Sequence, residues 1–142
     1  MIESRRPACS LHFVNPHGLY DPSPNAYSHV AVATAPGRIV FASGQGGEDQ
    51  HGTLAPDFAG QVRRALENLE IALHAGGADL RDVAKLTVLI VDHSLERLQE
   101  FGAELRRMWG TRPPPACTLI PVSRLALDGM LFEIEATAVV SR

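Results

Sequence analysis

Apolar side chains recur every three to four residues in two stretches, and this spacing predicts two helices. The first stripe covers residues 58–73 and the second covers residues 95–109. Each is preceded by a residue suited to cap a helix N-terminus and followed by glycine, which tolerates the left-handed conformation of a C-cap. These flanking residues are Asp57 and Gly76-Gly77 for the first helix, and Ser94 and Gly110 for the second.

Runs of β-branched and other apolar residues predict the strands. Residues 27–34 and 38–43 are expected to form a hairpin about the Ala35-Pro36-Gly37 turn, and the glycine-rich residues 44–52 a loop. In residues 82–91 the apolar Val83, Leu86, Val88, Leu89, Ile90 and Val91 are too continuous for a sheet with one solvated face, as in a strand covered on both faces. Residues 116–122 and 130–140 complete the pattern. The order ββαβαββ predicts an α+β fold with two helices on one face of a mixed sheet.

The length and composition predict one folded domain over residues 1–142. Residues 1–19 are expected to form an irregular lead-in with strand character near residues 11–14. A content of 45% hydrophobic and 20% charged residues excludes general disorder. The net charge of −3 argues against nucleic-acid binding. No apolar stretch is long enough to cross a membrane or form a signal core, so we expect a cytoplasmic protein.

Two helices can cover only one face of such a sheet, which leaves apolar residues on the other face. Val30, Val32, Ile39 and Phe41 are among them. A bare apolar face of that size is typical of an interface. We therefore expect a homo-oligomer in which a ligand pocket lies between subunits.

Two segments carry candidate chemistry. In Phe41-Ala42-Ser43-Gly44-Gln45-Gly46 a strand leads into a turn that could present N–H groups and a hydroxyl to an anion, or could be an ordinary turn. In the last strand, Glu133 and Glu135 point to the same face. One of these carboxylates in an apolar pocket could position or activate a water molecule. Alternatively, they lie on a solvated edge or pair with Arg124.

The remaining chemistry-bearing residues are more ambiguous. Tyr27 could stack on a planar ligand or could serve packing. Cys117 has no evident base or cation beside it, so a small buried residue is the simpler interpretation. Neither Cys9 nor Cys117 belongs to a Cys-x-x-Cys pair, and the six histidines lack metal-ligand spacing. We expect no metal.

The order of these motifs resembles the RidA/YjgF family of reactive-intermediate deaminases, formerly called the endoribonuclease L-PSP or translation-inhibitor family. The resemblance spans residues 20–140. It is carried by Tyr27-Ser28-His29, Ser43-Gly44-Gln45, Gln61 with Asn68-Leu69, Gly76-Gly77-Ala78, Asp82-Val83 with Lys85, Pro114-Pro115-Ala116, Arg124-Leu125 and Glu133-Ile134-Glu135-Ala136.

The resemblance implies a chorismate-mutase-like fold, a homotrimer and ligand sites in clefts between subunits. Active members hydrolyse 2-imino or 2-enamino acids to 2-oxo acids and ammonia without a metal or other cofactor. Carried over to this chain, the residue that handles water is Glu133. The implied substrate-binding residues are Tyr27, Ser43, Gly44, Cys117 and Thr118.

The chain departs from the family pattern at Cys117, where an arginine holds the substrate carboxylate in active members. Cysteine has neither the paired donors nor the permanent charge of a guanidinium. Losing one charged hydrogen bond costs about 1.5–3 kcal/mol, which is at least about tenfold in affinity. Arg112 or Arg124 could substitute.

Three hypotheses follow from this departure. The chain is a hydrolytic imine or enamine deaminase with an altered substrate, which could lack the carboxylate. Alternatively, it is a non-catalytic ligand-binding or regulatory relative. In the third hypothesis Cys117 acts as a nucleophile or redox thiol at the cleft.

Overall fold

The computed structural model describes residues 10–34 and 37–141, in which eight main elements follow one another. Two further 3-10 turns cover Ser23–Asn25 and Leu80–Asp82. The predicted order of strands and helices is confirmed, with an additional first strand where strand character was expected. The elements are β1 (Ser10–Val14), β2 (Val30–Thr34), β3 (Arg38–Gly46), α1 (Phe58–Ala75), β4 (Val83–Val91), α2 (Leu95–Trp109), β5 (Ala116–Val122) and β6 (Phe132–Val140).

Four strands form a mixed sheet in the order β3-β6-β4-β5. β4 and β5 run parallel and are joined by α2, while β6 is antiparallel to both β3 and β4. Parallel neighbours require a crossover of this kind, because a tight turn can join only antiparallel strands. The fold is therefore the α+β arrangement with a mixed sheet that the sequence predicts.

The predicted hairpin between the second and third strands is wrong. In the ranges that the structure describes, β2 pairs with β1, with Val14 opposite Val30, whereas β3 pairs with β6. Residues 35–36 of the expected turn, like Cys9, lie outside the described residues. Alternating hydrophobicity identifies a strand and its buried face, but it does not identify the strand's partner.

The predicted loop from Gly44 is also corrected, because β3 continues to Gly46. Gln45 lies opposite Ile134 and Gly46 lies opposite Glu133 on β6. The glycines that suggested a loop accompany a shift of register within the strand instead. Asn68 of α1 then holds the end of the strand, since its Nδ2 donates to the Gly46 carbonyl at 2.9 Å.

Both helices begin and end where the capping residues predict. The Asp57 carboxylate accepts from the Gly60 N–H, and the Ser94 hydroxyl accepts from the Arg97 N–H at 3.1 Å. After α1, Gly77 has φ +77°, a conformation that favours glycine. The apolar stripes of both helices join the sheet in one core, whose largest fully buried members include Leu66, Leu69, Leu73, Leu86, Leu105, Phe132 and Ile134.

The opposite face of the sheet, which we call the open face, retains exposed apolar side chains. Val40 and Ala42 pack against the core, so Ile39 and Phe41 point the other way. Ile39 is 54% exposed and Phe41 is 77% exposed. Leu89 of β4 is only half-buried. One chain therefore does not provide the two-sided cover that the apolar run of β4 predicts.

Candidate functional site

A β-bulge brings the turn segment against a carboxylate of the last strand. Ala42 pairs with Ala136 and Gln45 pairs with Ile134, so Ser43 and Gly44 together stand opposite Glu135 alone. The extra residue changes the direction of β3 so that its backbone approaches Glu133. A Cβ built at Gly44 would lie 2.0 Å from the Glu133 Oε1 atom. Only glycine therefore permits this close approach between backbone and carboxylate.

Glu133 has an unusual position for a carboxylate. It alternates with the fully buried Phe132 and Ile134, and so it lies on the open face, half-buried and opposite Leu89. Within the described ranges it forms no ion pair with a cationic side chain. The alternative pairing with Arg124 is wrong, because the Arg124 Nη2 donates to the Asp128 Oδ1 at 2.9 Å. The carboxylate oxygens thus remain available as acceptors.

Tyr27 lies at the other edge of the sheet, beside the start of β5. Its neighbour Ser28 is buried, and the Ser28 hydroxyl and N–H donate to the carbonyls of Pro114 at 2.5 Å and Pro115 at 3.0 Å. These two bonds fix the segment against the proline connector that leads to Cys117. The sequence placed Ser28 within a motif but did not reveal this anchoring role.

The Tyr27 ring belongs to an aromatic cluster with Tyr20 and His29. The ring centroid of Tyr27 lies 6.4 Å from that of Tyr20 and 5.4 Å from that of His29, in edge-to-face geometry. The Tyr27 and Tyr20 hydroxyls share a hydrogen bond. Desolvation, followed by this hydrogen bond, raises the pKa of Tyr27 to about 12. Tyr27 is therefore a neutral hydrogen-bond donor at physiological pH.

Cys117 faces the helices rather than the open face. It lies opposite the fully buried Leu86 of the neighbouring strand β4 and packs against the core. Burial raises the pKa of its thiol to about 11, against an opposing effect of Lys85. A neutral, desolvated thiol is a poor nucleophile, because the thiolate is the reactive species.

Thr118 and Glu135 both lie on the open face. Thr118 is exposed, and its hydroxyl accepts a hydrogen bond from the Lys85 Nζ at 2.7 Å. Glu135 is exposed and lies opposite Thr87. Thr118 and Glu135 therefore share the sheet face of Glu133, whereas Cys117 does not.

The residues predicted to form one site are brought together in two groups. Ser43, Gly44 and Glu133 meet at the bulge, whereas Tyr27 and Cys117 lie near the start of β5. On β4, Cys117 lies opposite Leu86 and Glu133 lies opposite Leu89, so the two residues are three positions and two strands apart. Their Cα atoms are therefore separated by roughly 14 Å. Their side chains also point to opposite faces of the sheet. One chain alone does not assemble the complete site.

No group of three or more His, Cys, Asp or Glu side chains suited to hold a metal occurs in residues 10–34 and 37–141. Nor does any helix in these ranges have the length and apolar character needed to span a bilayer. The chemistry of the bulge region therefore has to be argued from the carboxylate and its surroundings.

The strand order, the two helices and the bulge opposite a glutamate of the last strand define an α+β domain of the RidA/YjgF class. The chain belongs to this family. The family model described as Endoribonuclease L-PSP matches residues 21–140, which is nearly all of the domain.

Individual relatives agree with this assignment. The chain is 32% identical over 122 residues to the RutC family protein YjgH of Escherichia coli, covering 86% of this chain and 87% of that protein. It is 34% identical over 121 residues to a 2-iminobutanoate/2-iminopropanoate deaminase of Rattus norvegicus, covering 82% and 84%. The crystal structure of YyfB, a Rid-family protein of unknown function from Yersinia pestis, matches with a TM-score of 0.86 at 32% identity, covering 92% and 98%.

Proposed function

We propose that this protein is a hydrolytic deaminase of imines or enamines in which Glu133 activates the attacking water. The observation that carries the proposal is the contact between the Gly44 backbone and the Glu133 carboxylate on the open face. A half-buried carboxylate with available acceptor oxygens is suited to general-base catalysis. The relatives named as 2-iminobutanoate/2-iminopropanoate deaminases support the same reaction class.

The proposed reaction uses only this carboxylate and water. The Glu133 carboxylate accepts a proton from water while the water oxygen adds to the imine carbon. The proton then passes to the nitrogen of the tetrahedral intermediate. The Glu133 carboxylate then accepts the proton of the new hydroxyl group and passes it to the amino nitrogen, the C–N bond breaks as the C=O bond forms, and ammonia leaves. The Ser43 hydroxyl and the adjacent backbone hold the intermediate near the carboxylate.

We further propose that the site is completed between subunits of a homotrimer. The exposed Ile39 and Phe41 border the bulge on the same face, and burying them against a second chain would remove apolar surface from water. The same contact would bring the Tyr27 region of one protomer toward Glu133 of its partner. The ligand would therefore bind in an intersubunit cleft.

The substitution at position 117 bears on the substrate class. The neutral thiol of Cys117 cannot form the two-pronged ion pair that an arginine gives a carboxylate. Arg124 is engaged with Asp128, and Arg112 is held at the C-terminal end of α2, away from the sheet face on which Glu133 lies. We therefore propose an imine without a carboxylate as the preferred substrate, rather than a 2-imino acid.

Ammonia release from imines generated in situ tests this function. An amine oxidase supplies an imine without a carboxylate, and an amino-acid oxidase acting on alanine supplies 2-iminopropanoate. We expect the wild-type protein to accelerate hydrolysis of the first imine more than the second. Glu133→Gln is expected to lower the rate at least about a hundredfold, because general-base catalysis contributes about 10²–10⁴-fold.

Glu135→Gln is the matched control, since Glu135 lies on the same face of the same strand and is exposed. We expect this variant to retain activity. Gly44→Ala should lower the rate, because the new methyl group would overlap the Glu133 carboxylate and force it to move. Equal rates for wild type and Glu133→Gln would overturn the proposal.

The replacement at Cys117 also favours a second candidate function, in which the cleft binds a metabolite without turning it over. Thermal-shift titration with small metabolites separates the two functions. A saturable shift in a protein that accelerates neither imine supports binding alone, whereas acceleration that depends on Glu133 excludes it.

A further inference from the structure

A cavity of about 180 Å³ lies on the helix side of the molecule, between the 3-10 turn Ser23–Asn25 and the C-terminal end of α2. It opens beside Tyr27 and is formed by one chain. Its polar lining consists of Asn15, Ser23, Tyr27, Arg106, Trp109 and Arg112. Ser43, Gly44, Glu133 and Cys117 do not line it. The cavity therefore shares Tyr27 alone with the region proposed for deamination and is a second site beside it.

Two exposed arginines that no described carboxylate neutralises line the cavity. Arg106 and Arg112 both line it, and no described lining residue is acidic. Within residues 10–34 and 37–141, neither arginine forms an ion pair. Two cations facing one cavity create a positive potential that attracts an anion.

Main-chain carbonyls hold both guanidiniums at the cavity wall. The Arg106 Nη1 donates to the Pro24 carbonyl at 3.0 Å. The Arg112 Nε and Nη2 donate to the carbonyls of Trp109 at 3.1 Å and Met108 at 3.2 Å. A guanidinium has about five N–H donors, so both groups retain donors for a ligand. Orientation by carbonyls, unlike an ion pair, leaves the positive charge uncompensated.

The rest of the wall is suited to a small hydrocarbon group. Trp109 is 3% exposed and Leu105 is 1% exposed, and both line the cavity. The volume is similar to that of a cavity of about 150 Å³ that holds one benzene molecule. The Asn15 Oδ1 already accepts from the His29 N–H at 2.9 Å, which leaves the Asn15 amide N–H groups to donate. Tyr27, whose hydroxyl is neutral, also lines the cavity.

We propose that this cavity is a binding site for a small organic monocarboxylate. The carboxylate lies between Arg106 and Arg112, and a hydrocarbon group no larger than one six-membered ring packs against Trp109 and Leu105. Charged hydrogen bonds to guanidinium provide the preference for an anion. The site operates within a single chain and does not depend on Glu133 or on imine hydrolysis.

Trp109 provides a direct readout, because it is the only tryptophan in the chain. Its indole N–H gives one signal in the ¹⁵N–¹H spectrum of the uniformly labelled protein. Cyclohexanecarboxylate is the probe and cyclohexanecarboxamide is its neutral control of similar shape. We expect the carboxylate to shift the indole signal saturably, and the amide to bind at least about tenfold more weakly.

Variants identify the groups responsible. Arg106→Gln with Arg112→Gln should weaken carboxylate binding at least about tenfold. Arg124→Gln, which removes one positive charge at a residue that does not line the cavity, should leave binding unchanged. Glu133→Gln should bind the probe as the wild type does, which separates this site from the proposed deaminase. The comparison of acid with amide in the wild type needs no variant to fold.

Three outcomes would overturn the proposal: no saturable shift with the carboxylate, equal affinities for acid and amide, or loss of binding in Glu133→Gln.

Discussion

Tyr27 and Glu133 lie at opposite sides of the sheet, in two regions that differ in how many hydrogen-bonding and packing partners one chain provides for their side chains. At the Tyr27 edge, the hydroxyl is bonded to Tyr20, the neighbouring Ser28 is bonded to two carbonyls, and Cys117 is packed against the core. At the bulge, Glu133 has no cationic partner among the described residues, and Phe41 nearby remains largely exposed.

The difference bears on which region the proposed homo-oligomer would complete. Buried polar groups without partners are costly, whereas groups with local partners need nothing further. The Tyr27 edge is complete in one protomer, while the bulge has an open carboxylate beside an exposed apolar surface. In the proposed homo-oligomer, burial of Phe41 would complete the second region, and the Tyr27 edge of the partner would approach it with its own hydrogen bonds already formed.

The strongest test of this comparison is Phe41→Glu. Burial of a phenylalanine side chain contributes about 1.5–3 kcal/mol, and a buried unpaired charge is unfavourable as well. We expect association to weaken at least about a hundredfold, measured as mass in analytical ultracentrifugation. Leu95→Glu is the control, since Leu95 is also 77% exposed but lies at the start of α2. Equal masses for wild type and Phe41→Glu would contradict the assignment of this face.

The chemical character of the Tyr27 edge can be tested at Cys117. Its pKa of about 11 exceeds the ordinary value near 8.5. We therefore expect iodoacetamide to alkylate the native protein at pH 7.5 at least about a hundredfold more slowly than the urea-unfolded protein. Cys9→Ser removes the second thiol from the measurement. Rapid native labelling that a ligand suppresses would instead support a reactive thiol at the cleft.

The same shift predicts a change of stability with pH. Because burial raises the pKa of Cys117 in the folded state, its stabilising contribution is full below the unfolded pKa. That contribution is lost as the pH rises through the folded value of about 11. Urea unfolding in the Cys9→Ser background should therefore show a loss between about pH 8.5 and 11 that is absent in Cys117→Ala.

The sequence predicts local structure better than it predicts partners. Helix caps at Asp57 and Ser94 depend on residues three positions away, so their signals are contained in short segments. Which strand lies beside β3 depends on contacts distant along the chain, and here the hairpin prediction was wrong. The glycines at 44 and 46 were interpreted as a loop because a bulge within a strand has similar composition.

The candidate site shows the same limitation. Because side chains along a strand alternate between its two faces, the sequence predicts that Glu133 and Glu135 share one face, and the strand register of the structure agrees. The sequence predicts that Cys117 is a small buried residue, but it does not show which face of the sheet the side chain joins, since a half-buried strand at a sheet edge can present either face. The sequence offers Arg112 as a replacement cation, but its place beside Trp109 depends on how the chain folds back after α2.

A smaller effect is expected at Glu104 of α2, which joins the two helices through Arg63 of α1. Its carboxylate accepts from Arg63 at 2.8 Å and Arg107 at 3.0 Å, and the Arg63 hydrogen bond is the main cause of its lowered pKa. Glu104→Gln should lower the free energy of unfolding by about 1–2 kcal/mol at pH 7, a modest value because both arginines are half exposed to solvent.

Because the folded pKa of Glu104 is depressed, its stabilising contribution is present above the unfolded value near 4.3 and is lost as the pH falls through the folded value. The difference between wild type and Glu104→Gln should therefore shrink below about pH 4, in urea unfolding followed by circular dichroism. Glu100→Gln, one turn earlier on α2, is the control and should change little. A difference that persists undiminished at acid pH would show that Glu104 stabilises the helices by packing rather than by charge, and the helix layer would then resemble the apolar core beneath it.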